Sequence, residues 1–159
     1  MRAVRYLTLA AACLAGLLWT GTASAVIVPQ RSIAGIELDM TRSEVRAKKG
    51  DPRRVEHGTN DFGQYTIFRY GRLWVVFQGN AGATAVSTRR PGQRTAEGIG
   101  VGSTEAELRA AHPVRCRTEA GTFRHCWTGR FRPGRRVTDY RINLTTRLVT
   151  RVTVAYVID

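Results

Sequence analysis

Two segments of the chain repeat the same order of polar and apolar positions. Residues 35–47 and 98–110 align at a constant offset of 63, and six of the 13 aligned positions are identical. Ser103 stands where the first copy has Met40. Chance is a poor explanation for this agreement, so the pattern predicts an internal duplication.

Each copy contains a helix start. Thr41 and Thr104 are each followed three residues later by a glutamate, Glu44 and Glu107 respectively, which is the spacing of a capping box. Gly50 is expected to end the first helix, and Pro113 is expected to end the second. Both helices are therefore short, and helices of this length need packing against the rest of the chain.

Aromatic and β-branched runs separated by turn residues follow each helix and predict strands. The predicted strands are 65–70, 73–78 and 83–88 in the first copy, and 115–117, 123–127, 137–145 and 148–157 in the second. Apolar residues alternate with polar ones late in the chain, so Tyr140 and Ile142 share one face while Asp139 and Arg141 share the other. In the last strand, Val152 and Val154 lie opposite Arg151 in the same way. Consecutive hairpins favour an antiparallel sheet with one face carrying the helices and the other facing solvent or a partner.

The N-terminal segment 1–25 has the order of features expected of a signal peptide. Arg2 and Arg5 precede an apolar run, and Ala23-Ser24-Ala25 is a small-residue cleavage site. We therefore expect cleavage after Ala25 and a secreted, extracytoplasmic protein. The alternatives are a buried N-terminal helix and lipid attachment at Cys13.

The chain is strongly basic. Its formal net charge is +13, and removing a segment that holds two arginines and no acidic residue leaves +11. Nearly all the basic residues are arginine, which genome base composition alone can produce. The charge predicts attraction to anionic partners, which for a secreted protein are envelope polymers, lipid head groups or acidic proteins rather than nucleic acid.

Cys116 and Cys126 are the two cysteines that remain after cleavage, and they flank a run of turn residues. An even count in an oxidising compartment predicts one disulfide, placed across a hairpin. Closing this short loop is expected to contribute ~2.8 kcal/mol.

These features resemble the secreted β-lactamase-inhibitor-protein family, whose helix opening also occurs in small outer-membrane assembly lipoproteins. The resemblance is carried by Gly35, Ile36, Met40, Thr41, Arg42, Val45 and Gly50, and by the second copy ending at Cys116. It implies an α+β fold of two tandem repeats, 26–94 and 95–159, each a short helix-loop-helix packed on an antiparallel sheet. It also implies a disulfide in the second repeat, and binding through the open face of the sheet.

The segment from His57 to Tyr65 is similar to the inhibitor-family loop in which an aspartate and an aromatic residue enter the target enzyme. The resemblance therefore assigns Asp61 and Phe62 to partner binding. Exposed aromatic residues beside arginines have the composition of binding hot spots, so a sheet face carrying them would extend this site. The expected partner-binding residues are Asp61, Phe62, Tyr65, Trp74, Arg141 and Arg151.

The sequence contains no residue spacing that predicts catalysis, a metal site or a cofactor. His57, His112 and His125 are isolated, and we find no nucleotide fingerprint and no sequence pattern of a nucleophile with its base, although such groups can also assemble in space. The leading hypothesis is therefore a non-enzymatic protein-binding module, and a small hydrolase ranks third.

The second hypothesis is a cell-envelope factor that binds anionic polymer or lipid through an arginine-rich loop. That loop is expected to present Arg130, Arg132, Arg135 and Arg136 around Phe131. The alternative is a solvated connection in an arginine-rich protein.

Overall fold

The computed structural model describes residues 26–158, so the predicted signal peptide and Cys13 lie outside the described residues. The elements are β1 (Ile27–Val28), β2 (Ser32–Ile33), β3 (Ile36–Glu37), α1 (Arg42–Lys49), β4 (Arg54–Asn60), β5 (Gly63–Tyr70), β6 (Leu73–Gln78), β7 (Ala83–Thr88), α2 (Glu105–Ala111), β8 (Arg115–Glu119), β9 (Phe123–Gly129), β10 (Arg136–Ile142) and β11 (Val149–Tyr156). None of the helices among these residues is long and apolar enough to cross a membrane.

Eight of the strands form one continuous sheet in the order β4-β5-β6-β7-β11-β10-β9-β8. Every neighbouring pair is antiparallel, including β7 with β11, which joins the two halves of the chain. Each half contributes a four-stranded meander, and the two meanders meet at their last strands. The three short strands β1, β2 and β3 form a separate small sheet.

The expectation of two helix-loop-helix repeats on a sheet is wrong. The described chain is mostly β, with one helix of eight residues and one of seven. The positive φ of Gly50 ends α1, and β4 begins four residues later. Pro113 follows α2, where it cannot continue a helix, and β8 begins at Arg115. Each helix therefore leads directly into a strand.

The duplication is visible in the backbone as well as in the sequence. Both helices begin with a complete capping box, at Thr41 and at Thr104. The segment before each helix has a glycine in the left-handed conformation at the equivalent position. The φ angle is 77° at Gly35 and 81° at Gly98. The Ser103 hydroxyl accepts a hydrogen bond from a backbone N–H at 3.1 Å, where the Met40 sulfur accepts one at 3.5 Å in the first copy. The serine thus fills the role of the methionine it replaces.

The hydrophobic core lies between the helices and one face of the large sheet, the helix face. Val45 of α1 and Leu108 of α2 are fully buried there. The core also contains apolar residues from the small sheet and the large sheet, including Ile27, Ile33, Ile36, Phe68, Val75, Phe77, Val86, Tyr140, Ile142, Val152 and Val154. The predicted alternation in the last two strands is confirmed, because Tyr140, Ile142, Val152 and Val154 all point into this core. Their neighbours in sequence therefore occupy the opposite face.

Candidate functional site

The opposite side of the large sheet, the open face, carries residues in rows that run across the strands. One row is apolar and follows cross-strand partners from β5 to β10, and its members are Ile67, Val76, Ala85, Ala155 and Val137. The first four of these are partly exposed. Both helices pack on the helix face, so neither of them covers the open face.

The next row crosses all eight strands and contains two tryptophans. Each member of this row is the cross-strand partner of the next, and the members in order are Arg54, Arg69, Trp74, Ser87, Thr153, Asp139, Trp127 and Arg115. The guanidinium groups of Arg69 and Arg89 lie 5.7 and 5.5 Å from the centre of the Trp74 ring. Trp127 packs against Phe131 with ring centres 5.1 Å apart. Aromatic rings beside arginines, which the sequence analysis treated as a condition for binding, are present on this face.

A third row is cationic. Arg151 lies directly opposite Arg141, and Arg141 lies opposite His125. Arg89 follows Thr88, whose cross-strand partner is Val152, so it continues the row beside Arg151. We call Arg89, Arg151 and Arg141 the arginine row. Among the described residues, none of these three arginines has a carboxylate within 4 Å.

His125 lies between two carboxylates. Its Nδ1 is 2.9 Å from Asp139 and its Nε2 is 3.0 Å from Glu119. Hydrogen bonds from His125 and Arg117 lower the pKa of Glu119. Burial raises the pKa of Asp139, and the neighbouring His125 partly opposes that rise. Because both ring nitrogens are engaged, His125 has no free nitrogen with which to act as a general base in this arrangement.

The predicted disulfide is confirmed. Cys116 and Cys126 are direct cross-strand partners in β8 and β9, with an S–S distance of 2.01 Å. Both cysteines lie on the helix face, and the Glu105 carboxylate lies within 4.8 Å of the two sulfurs. The sulfurs are bonded to one another, and Glu105 accepts hydrogen bonds from three arginines. This group is therefore a structural cluster.

Asp61 and Phe62 form the turn between β4 and β5. Both are exposed, and 47% of the Phe62 surface is accessible. The segment before them is strand β4 and not the loop that the family resemblance implies. Tyr65 lies on the open face, but its ring covers Gly58 of β4, because a Cβ at Gly58 would lie 2.4 Å from the ring. The turn lies at the rim of the sheet, at the end opposite the arginine row.

The arginines of the β9–β10 loop and Arg136 at the start of β10 are exposed, but they are not equivalent. Arg136 donates hydrogen bonds to Asp39 at 2.6 Å and to Tyr156, so it ties the two halves together. Arg130 and Arg132 line a cleft of about 570 Å³ together with Arg115, Trp127 and Phe131. The loop thus extends the open face at its β8–β9 edge.

The structure brings together only part of the predicted partner site. Trp74, Arg141 and Arg151 share the open face, whereas Asp61 and Phe62 lie apart at the rim. Sequence reasoning missed the involvement of Arg89, Phe123, His125 and Asp139. The alternation of β9 and β10 indicated which of these residues share a face, but the pairing of β7 with β11, which places Arg89 in the row, had no sequence signal.

No protein-family profile matches the chain, and no curated protein matches it at a significant level. Among solved structures, the chain is similar to a DUF4309 family protein, YjgB, from Bacillus subtilis subsp. subtilis str. 168. The two share 19% sequence identity with a TM-score of 0.52, and the similarity covers 83% of this chain and 88% of YjgB. At this identity the likeness shows a shared fold.

Proposed function

We propose that this protein is a secreted, non-enzymatic module that binds a protein partner through the open face of its sheet. The observation that carries the proposal is the composition of that face. Trp74 and Trp127 lie in one row, between an apolar row and the arginine row. Interface centres are rich in tryptophan and arginine, which supply large contact areas and directed hydrogen bonds.

The disposition of the polar groups supports binding rather than catalysis. The histidine and carboxylates on the open face engage one another or a neighbouring arginine, as His125 does with Asp139 and Glu119. Glu56 is similarly held by Arg69 at 2.7 Å. A surface of this kind presents shape and charge to a partner, whereas a hydrolase needs converging groups that are free to act on a substrate.

Capture from culture supernatant tests the docking surface. The wild-type protein and the variant Trp74→Ala/Trp127→Ala are immobilised, and the retained proteins are compared. A control variant, Val28→Ala/Val55→Ala, removes two exposed apolar residues that lie away from the open face. We expect the wild type and the control to retain the same partner and the tryptophan variant to lose it. Equal retention by the tryptophan variant would show that the open face is not the docking surface.

The β4–β5 turn is tested separately because it lies away from the tryptophans. The double substitution Asp61→Ala/Phe62→Ala removes both exposed side chains. The resemblance to the inhibitor family implies that these two side chains contact the partner, so we expect the variant to have a lower affinity for the captured protein. An unchanged affinity would limit the binding surface to the open face.

A second candidate function is adhesion to an anionic envelope polymer or lipid. It is favoured by Arg130, Arg132 and Arg135, which are exposed and form no ion pair with any described residue. This mode predicts retention on cell-wall extracts or anionic vesicles that falls steeply with salt, and that the substitution of these three arginines by glutamine abolishes. Retention that is insensitive to salt would exclude it.

A further inference from the structure

The arginine row places three like charges side by side, with no carboxylate of the described chain within 4 Å of any of them. Arg151 and Arg141 are direct cross-strand partners, and Arg89 lies on the other side of Arg151. Neighbouring strands are about 4.8 Å apart, and like charges directly opposite one another destabilise a sheet. Such an arrangement costs stability in the free protein, which is the situation that a bound anion relieves.

Arg151 is the most constrained member of the row. Its Nε is fully buried and has no hydrogen-bond partner among the described residues. Burial, followed by the charges of Arg141 and Arg89, lowers the pKa of Arg151 below its ordinary value. Asp139 acts in the opposite direction, but it is engaged with His125 and does not form an ion pair with Arg151. The row therefore lacks an internal partner for its central arginine.

Aromatic side chains orient the outer two arginines. The guanidinium of Arg141 lies 3.8 Å from the centre of the Phe123 ring, and that of Arg89 stacks on Trp74. Arg89 and Arg141 also line one surface cleft of about 300 Å³. Stacking reduces the conformational freedom of a guanidinium and leaves its N–H groups available to a carboxylate or phosphate.

We infer that Arg89, Arg151 and Arg141 form a carboxylate-binding subsite that selects an acidic segment of the protein partner. This inference rests on the proposed function, since it assigns a chemical class to the same docking surface. The apolar row lies parallel to the arginine row, about 13 Å away along the strands. A bare polyanion leaves the apolar row and the two tryptophans uncovered, whereas an acidic polypeptide with apolar side chains covers both rows.

The subsite is tested with a synthetic peptide in which short runs of glutamate alternate with short runs of leucine, so that one face of the extended peptide carries both residue types. Trp74 and Trp127 are the two tryptophans in the described chain, and both lie on the open face, so their fluorescence reports binding there directly. At about 0.15 M salt, we expect Arg89→Gln/Arg141→Gln/Arg151→Gln to weaken peptide binding by at least about tenfold, because the charge-assisted hydrogen bonds are lost.

A matched control removes the same number of charges elsewhere. Lys48, Lys49 and Arg53 are exposed and form no ion pair with any described residue, so Lys48→Gln/Lys49→Gln/Arg53→Gln keeps the net charge equal to that of the row variant. We expect this control to bind the peptide within about twofold of the wild type. Equal weakening of the two variants would show diffuse attraction to a basic protein and would overturn the subsite.

Two further probes decide the chemical class. A peptide with every leucine replaced by serine should bind more weakly, and so should polyphosphate of the same charge. If polyphosphate binds as tightly as the glutamate–leucine peptide, and through the same three arginines, the acidic-polypeptide assignment is wrong. If the row variant loses the peptide while the Trp74→Ala/Trp127→Ala variant still captures its partner, the subsite stands and the proposed docking surface fails.

Discussion

At the scale of single residues, Glu105 joins α2 to two other segments of the second half. Its carboxylate accepts hydrogen bonds from Arg109 and Arg124 at 3.0 and 3.1 Å and from Arg147 at 2.8 Å. Burial raises the pKa of Glu105, but these hydrogen bonds and the charges of Arg124 and Arg147 hold it below its ordinary value of 4.5. The ionised carboxylate therefore stabilises the folded protein.

The substitution Glu105→Gln is expected to lower the free energy of unfolding by about 2 kcal/mol at pH 7. Because the folded-state pKa is lowered, the contribution of Glu105 is complete above about pH 4.5 and is lost as the pH falls through that lower pKa. Denaturant titrations of the wild type and variant across this range measure the difference. Glu37→Gln, which removes an exposed pair with Arg31, is the control. A difference that persists unchanged at low pH would contradict this account.

The residues of the candidate site show the limits of sequence reasoning at the same scale. Alternation in the last strands correctly placed Arg141 and Arg151 on the face opposite the core. When one face of a strand is buried, the pattern of apolar residues shows which alternate side chains point into the core. It did not reveal that Arg89 joins them, since the contact between β7 and β11 brings together residues more than 60 positions apart. Nor did it show that Arg136 is engaged by Asp39. Long-range pairing carries no local pattern.

At the scale of elements, β7 and the turn before α1 approach each other too closely for a side chain. The backbone N–H of Asp39 donates to Ala83, and that of Ala83 donates to Met40. A Cβ at Gly82 would lie 2.2 Å from the Asp39 carbonyl oxygen. The substitution Gly82→Ala must therefore separate the turn from the strand, and we expect it to destabilise the protein by about 2 kcal/mol.

Thermal unfolding measures this effect, and Gly92→Ala supplies the control. No atom lies within 4 Å of a Cβ built at Gly92, so this substitution should leave the midpoint close to that of the wild type. If Gly82→Ala were as stable as Gly92→Ala, the close approach described above would not constrain the fold.

The β8–β9 hairpin depends on its disulfide. Replacing Cys116 and Cys126 together by alanine removes the cross-link from the unfolded chain, and we expect a loss of ~2.8 kcal/mol from the entropy of the closed loop. Urea titration of the oxidised wild type and the double variant gives the difference. A variant as stable as the wild type would mean that strand pairing alone fixes this edge of the sheet.

The elements that the sequence predicted are those with a strong local signal. Both capped helices were predicted, and the predicted bounds of β6 and β7 agree with the structure. The edge strand β4 was missed because its exposed, polar residues lack the alternation that a buried face imposes, and β1 to β3 are too short to show a period. The second helix expected in each repeat came from the family resemblance, and no capped apolar segment supports it.

At the scale of the whole molecule, positive charge dominates the electrostatics. The residues after position 25 carry a net charge of +11, and no carboxylate of the described chain lies within 4 Å of the arginine row. Raising sodium chloride from about 0.02 to about 0.3 M shortens the range of this repulsion severalfold, so we expect the melting temperature to rise by a few degrees. The Arg89→Gln/Arg141→Gln/Arg151→Gln variant should show a smaller rise. A melting temperature that fell with salt would indicate that favourable ion pairs outweigh the repulsion.

The meeting of β7 with β11 also bears on how such a chain arises. A single half would end in a bare strand edge, and two identical halves would satisfy each other through the same edge about a twofold axis, as in an isologous homodimer. When two such subunits are joined in one chain, their association no longer depends on concentration. The two halves can then acquire different residues. The disulfide and two of the three arginines of the arginine row belong to the second half, which is the divergence that a tethered pair permits.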